Sequence, residues 1–297
     1  MAPCPSSIRS TPPKSNPHAT NVPDSLIAAA GRLGVPVRPV DLPSLRTGIA
    51  PRGELSVADK AGPVAAGSLA PCLLFGFPAA AHALRVLTRT ARAQNPLDSM
   101  LLADDKAAAA QRLAEAGVAQ VRTEICAFDH AQVAAVAAEI GYPVVVKRAH
   151  GAQGRWVRRA ADPATLATAL AELAVEGPGG LIVQPEITEC GGASVRAVLT
   201  GGEVLAVTER RAAPPEWRSN IAGGAAQRRV ELTGAEEDLV LGAAAALGLG
   251  HAGVDLLRTA AGPRVLEVNA CPDFTSMQPH YRADLAEAVL RASLRPG

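Results

Sequence analysis

The sequence predicts an α+β fold, and two observations carry that reading. Beyond residue 100, helical and strand patterns mix without strict βαβ alternation. Two hairpin patterns also stand out, one over 193–211 around Gly201-Gly202 and one joining 253–257 to 264–269 through a Gly-Pro turn.

In chain order, the first 23 residues carry six prolines and no apolar h-region, so 1–20 is expected to be a disordered leader. An N-terminal α/β domain is expected over 21–100. Asp24 caps a helix over 25–33 that Gly34 stops, and 35–42 reads as a strand. A buried strand over 69–77 and a helix over 79–93 follow, until Asn95-Pro96 breaks the pattern.

An Ala-rich helix over 103–116 ends at Gly117, followed by a strand over 120–127. A helix over 129–140 stops at Gly141, and 143–148 (PVVVKR) is a strand holding a single lysine. A small-residue loop, 151–154, leads to a strand over 156–159. A helix capped by Asp162 then runs to 175, before a strand over 181–184. After the first hairpin, 212–227 reads as a polar loop. A helix over 233–247 carries Glu236 and Glu237 near its start, as the helix dipole favours. A helix over 284–294 closes the chain.

Composition narrows function. Twenty-nine basic against 28 acidic residues leave no bulk positive charge for a nucleic-acid duplex. Aromatic residues at 3% are too few for a base-stacking platform. Five cysteines without CxxC spacing argue against a disulfide framework or structural zinc. The longest apolar stretch, 69–84, is broken by Pro71, Gly76 and Pro78 and is too short to span a bilayer. A soluble, cytoplasmic protein with no nucleic-acid or membrane partner is expected.

Three constellations carry chemistry. With the second hairpin's turn centred on Ala261, Asp255 and Glu267 face each other, and Asn269 points to the same side. Two carboxylates and an amide oxygen suit magnesium or manganese; the alternative is an exposed face with solvated charges. The apolar flanks (GVDLL, RVLEVN) favour the metal, because an unpaired acidic pair is costly there. Lys147, inside an apolar strand, must snorkel or meet an anion. The loop after it, through Gly151, Gln153 and Gly154, reads either as a phosphate-approaching loop or as an ordinary glycine-rich turn. Finally, Arg210, Arg211 and Arg218 fall with two more arginines within twenty residues, forming either an anion site or a solvated charged hairpin.

Taken together, Asp105-Lys106, VVVKRAHGAQG at 144–154, ERR at 209–211, RSN at 218–220, AGVDLL at 252–257 and LEVNACP at 266–272 resemble the ATP-grasp ligases. Within them, the chain is most similar to the RimK-type glutamate ligases. The resemblance implies an ATP-grasp fold over 101–297, with two α+β lobes (about 101–185 and 186–297) clamping ATP behind the N-terminal domain. Lys106 and Lys147 would hold ATP phosphates, with Gly151, Gln153 and Gly154 in the loop over them. Gln184, Pro185, Glu186 and Ile187 would meet adenine, and Asp255, Glu267 and Asn269 would bind two Mg2+ or Mn2+ ions. Arg218, Ser219 and Asn220 match nucleotide- and substrate-site residues, and Arg210 or Arg211 would hold a substrate carboxylate.

Four positions depart from the family pattern, one of them Asp273, which follows Pro272 where a glycine is usual. Trp156 stands where many relatives have a small residue, Ser194 where close relatives often place an acidic ribose ligand, and Pro185 removes a backbone donor from the adenine linker. The implied activity is ATP-dependent amide formation through an acylphosphate. L-glutamate would be added to a carboxylate acceptor such as a protein tail, a pterin-type coenzyme like tetrahydromethanopterin, or a carrier protein. Rival readings are a ligase for another amino acid in natural-product peptide synthesis and a non-catalytic ATP sensor. Relatives of this type are often homo-oligomers.

Overall fold

The computed structural model describes residues 22–40, 44–64, 77–87, 94–151, 156–175, 179–213, 216–219 and 224–294. The expected leader, the strand over 69–76 and the loop residues 152–155 lie outside them.

Helix α1 (Val22–Arg32) begins earlier than the expected 25–33, so Asp24 lies within its first turn and is not its N-cap residue; Gly34 follows with φ +67°. The strand expected over 35–42 is absent from 35–40, where Pro36 and Pro39 supply no N–H to a ladder. The extended chain comes later, as strands β1 (Arg46–Ile49), β2 (Leu55–Asp59) and the short β3 (Gly62–Pro63), a three-stranded antiparallel sheet backed by α2 (Phe77–Leu87).

The helix expected over 103–116 is two helices, α3 (Leu97–Asp104) and α4 (Lys106–Glu115). Asp105 divides them: its backbone is extended and its carboxylate accepts from Ala107 N (2.9 Å) and Ala108 N (3.2 Å). An aspartate at this place gains more as an N-cap than as an interior helical residue. The break sets Lys106 at the first turn of α4, where its backbone N–H donates to Ala149 O at 2.9 Å.

A four-stranded antiparallel sheet follows, built from β4 (Glu124–Cys126), β5 (Val144–Arg148), β6 (Val157–Ala160) and β7 (Leu181–Pro185) in the order β4-β7-β5-β6. Helices α5 (His130–Ile140) and α6 (Pro163–Ala174) cover one face through Val133, Leu166, Leu170 and Leu173. Asp162 and Thr165 form a capping box at the start of α6. The expected strand over 120–127 is shorter than predicted, because Gln120 bridges in parallel to Val265 of the other sheet.

The larger sheet runs β10-β9-β8-β11-β12, with β8 (Ala193–Thr200), β9 (Glu203–Arg211), β10 (Ala226–Arg229), β11 (His251–Thr259) and β12 (Gly262–Asn269). The β8–β9 hairpin has the predicted ends, and β10 occupies part of the expected loop over 212–227. One face, through Val195, Ala197, Leu199 and Val254, packs on α7 (Gly234–Ala246), which Thr233 and Glu236 start with a capping box. The opposite face buries Val198 and Ala206 under α8 (Leu285–Leu294) and α1, and is polar beyond them. No described helix is long and apolar enough to cross a membrane.

Candidate active site

The polar half of that face follows from strand alternation. Across β8, β9, β11 and β12 the register sets Thr208 beside Arg196, Arg196 beside Asp255 and Asp255 beside Glu267. Residues paired in this way point to one side. The hairpin turn lies at Ala260-Ala261, with Thr259 opposite Gly262, half a residue from the expected centre. A register shift between Asp255 and Leu256 restores the Asp255–Glu267 pairing.

Arg196 donates from Nε and Nη2 to the two oxygens of Asp255. Asn269 closes the group, its nitrogen donating to Glu267 Oε1 (2.9 Å) and its oxygen accepting from Arg196 Nη2 (3.1 Å). Burial raises the Asp255 carboxyl, but Arg196, and then Arg210 and Lys147, outweigh it and hold the pKa below the usual value.

Beside this pair lies a cleft of about 370 Å³, closed by α4, the four-stranded sheet and β12. Its polar lining includes Lys106, Lys147, Gln184 and Glu267, and its apolar lining includes Leu113 and Ile182. Lys147 is buried, and among the described residues its ammonium has no hydrogen-bond or ion-pair partner. Burial lowers its pKa, against the nearby charge of Glu267. Lys106 Nζ donates to Gly151 O, and Gly151 has φ +131°. Gln184 is buried and donates to Thr123 Oγ1 at 2.9 Å. Pro185 ends β7, Glu186 pairs with Arg159 at 2.5 Å, and Ile187 leads into a 3-10 turn.

The arginines separate by strand parity. Arg210 shares the polar face with Ser194; it is buried, its Nε has no partner among the described residues, and burial lowers its pKa to about 10. Arg211 turns to the other face, where it meets Gly191 O (3.2 Å) and Glu209 (3.4 Å). Arg218 pairs with Glu216 at 2.8 Å, and its side chain, foremost through its hydrogen bond, takes Glu216 down to about 2. Ser194 Oγ lies 2.6 Å from Ser219 Oγ. Gln153, Gly154 and Asn220 lie outside the described residues.

Sequence reasoning missed Arg196, although its place in ASVRAV, two residues from Ser194, would have put it on the same face. Asn95 was read only as a chain break. Its amide donates to His251 O (2.7 Å) and Ala270 O (2.9 Å) and accepts from His251 N (2.8 Å), which fixes the starting end of β11 and the end of β12.

The donor set can be tested for a hard cation. No cluster of three His, Cys, Asp or Glu occurs among the described residues. Asp255, Glu267 and Asn269 supply two carboxylates and an amide. With the amide reversed, its oxygen joins Glu267 and the donors become all oxygen, the set magnesium and manganese prefer. The residues therefore fit such an ion.

Two antiparallel α+β lobes closing on a lysine-lined cleft define the ATP-grasp class. The RimK-domain ATP-grasp protein of Sphaerobacter thermophilus superposes with a TM-score of 0.70 at 22% identity, covering 94% of this chain and 97% of that one. ATP-grasp ligase PsnB, solved with a phosphomimetic variant of its minimal precursor, Mg and ADP, gives 0.67 at 19% identity, covering 93% and 95%. Residues 103–293 match the model of the RimK-like ATP-grasp domain, and the chain belongs to that family. A probable alpha-L-glutamate ligase 1 of Pseudoalteromonas atlantica is 35% identical over 189 residues, 63% of this chain and 61% of that protein. The chain spans about half to three fifths of the length of the curated relatives it matches.

Proposed function

We propose that the chain is an ATP-dependent carboxylate–amine ligase that joins L-glutamate to a carboxylate-bearing acceptor. One observation carries the reading: the buried side chain of Lys147, which makes no hydrogen bond or salt bridge among the described residues, shares a cleft with Glu267 of the carboxylate pair. An unpaired buried cation is costly, and an anionic ligand relieves the cost. The glutamate comes from the relatives' name, probable alpha-L-glutamate ligase.

In this reading the acceptor carboxylate attacks the γ-phosphorus of ATP. ADP leaves and an acylphosphate forms. The amine of glutamate then attacks the acyl carbon, loses a proton and expels phosphate. Such transfer depends on positioning and charge neutralisation more than on a protein nucleophile. Lys106 and Lys147 hold phosphate oxygens, while Gln184, Pro185, Glu186 and Ile187 meet adenine beside the aliphatic wall of the cleft. Arg210 is the arginine placed to hold a substrate carboxylate, since Arg211 faces away. Asp255, Glu267 and Asn269 would hold Mg2+ or Mn2+, in the two-ion form the resemblance implies. The metal would supply charge neutralisation at the phosphates.

The test is ADP release with glutamate and candidate acceptors: a peptide with a free C-terminus, a pterin-type coenzyme and a carrier protein. Release that needs both glutamate and one acceptor supports the reading. ATP binding with magnesium in calorimetry, with no release for any pair, defeats it in favour of a nucleotide sensor. Release that follows a different amino acid moves the substrate to the natural-product reading.

A further inference from the structure

Arg196 sits in a slot made for it. Its residue is only 8% exposed, and its guanidinium grips both oxygens of Asp255. The slot depends on Gly253. A Cβ there would come within 2.7 Å of Pro272 Cβ and 3.0 Å of Arg196 Nη1, so a side chain at 253 would force Pro272 to shift and crowd the guanidinium. Two independent features, a hydrogen-bonded grip and a cleared space, fix one arginine against one carboxylate.

We propose that Arg196 is a positioning residue that half-neutralises the carboxylate pair, so that the site takes a divalent cation together with a polyphosphate and not by itself. The proposal rests on reading Asp255, Glu267 and Asn269 as the cation site. Free of Arg196, the pair would present two negative charges, and cation affinity rises with the charge of the ligands. Arg196 removes one of them. It does not block coordination, because each carboxylate oxygen keeps a lone pair after accepting one hydrogen bond. The two-point grip also fixes the plane of Asp255. Buried Arg210 lies on the same polar face, on the strand beyond Arg196, so the pocket is poor in negative charge for a lone cation. Polyphosphate oxygens bring both the missing charge and the missing ligands.

The experiment follows Mn2+ retained with the full chain in equilibrium dialysis, with and without a non-hydrolysable ATP analogue, and counts as bound only the Mn2+ in excess of that held by free ion and free Mn–analogue complex on the protein-free side. The unaltered protein should bind Mn2+ at least about tenfold more tightly with the analogue. Arg196→Met should raise analogue-free affinity about tenfold or more, because removing a unit charge this close is worth at least that factor. Arg196→Lys, which keeps the charge, should stay near the unaltered protein. A disrupted site would lose affinity, so a gain marks the proposed role. Equal Mn2+ affinity with and without the analogue overturns the proposal, and that arm needs no variant to fold. Failure of Arg196→Met to gain affinity, or an equal gain in Arg196→Lys, also overturns it. Glu267→Gln should abolish binding in the presence of the analogue. If it does not, the cation-site reading itself fails, which separates the two outcomes.

Discussion

Asp255 stands opposite Glu267, although the two-residue turn at Ala260-Ala261 taken alone would set it opposite Leu266. One extra residue in β12 makes the difference. Bulges re-aim side chains in this way, and here the extra residue keeps Glu267 on the face of Asp255.

Glu267→Gln keeps the shape and removes the charge. ADP release should fall by at least about a hundredfold, the scale seen when one charge-stabilising group is removed. The melting temperature should hold or rise, because the repulsion between opposed carboxylates is relieved. Coupled-assay turnover and a circular-dichroism melt read both. Unchanged turnover would remove Glu267 from the site.

In the proposed role, Lys147 would bind an anion only while protonated. Burial holds its pKa below 10.5, so affinity for an ATP analogue should weaken as pH rises through that lowered value. Lys147→Met should bind at least about tenfold more weakly at pH 7, with a flat pH profile in calorimetry. Stability runs the opposite way. The unfolded lysine keeps its proton to higher pH than the folded one, so the unaltered protein gains stability as pH rises towards 10.5 and Lys147→Met does not. A pH-dependent profile in Lys147→Met would show that another group titrates.

Asn95 makes three hydrogen bonds to the ends of the strands that carry Asp255 and Asn269. Asn95→Ala leaves buried backbone groups unpaired and should cost about 3 kcal/mol. That is a fall of several degrees in melting temperature for a chain of this size. A melt within a degree of the unaltered protein would show that the link is dispensable.

His251 is buried, its Nδ1 lies 2.7 Å from Thr200 Oγ1, and burial lowers its pKa from 6.5 to about 4. The unfolded chain takes up a proton that the fold refuses, so stability should fall as pH drops from about 6.5 to about 4, by up to about 3 kcal/mol. Urea unfolding at pH 7 and pH 5 should show a smaller difference in His251→Gln. An equal difference would assign the loss to carboxylates elsewhere.

Period-2 and period-3.6 patterns made most of the fold legible, as the ends of the β8–β9 hairpin and the cap at Asp162 show. The pattern failed where a local side chain overrode it. Asp105 split one apparent helix, and the prolines at 36 and 39 emptied an apparent strand. At the site, Asp255, Glu267 and Lys147 were visible because charge inside apolar strands is costly. Arg196 was not, because only the pairing of β8 with β11 brings it to Asp255 across 59 residues of chain. The bulge was equally hidden, since nothing in RVLEVN marks Leu266 as the extra residue.

The segment around Gln120 has a mechanical consequence. Val121 N donates to Val265 O at the edge of the larger sheet, and three residues later Glu124 begins β4 at the edge of the smaller one. Three residues span at most about 10 Å. The two sheets are thus pinned along one side like the boards of a book at its spine. A rotation about that spine would part the cleft at its opposite margin.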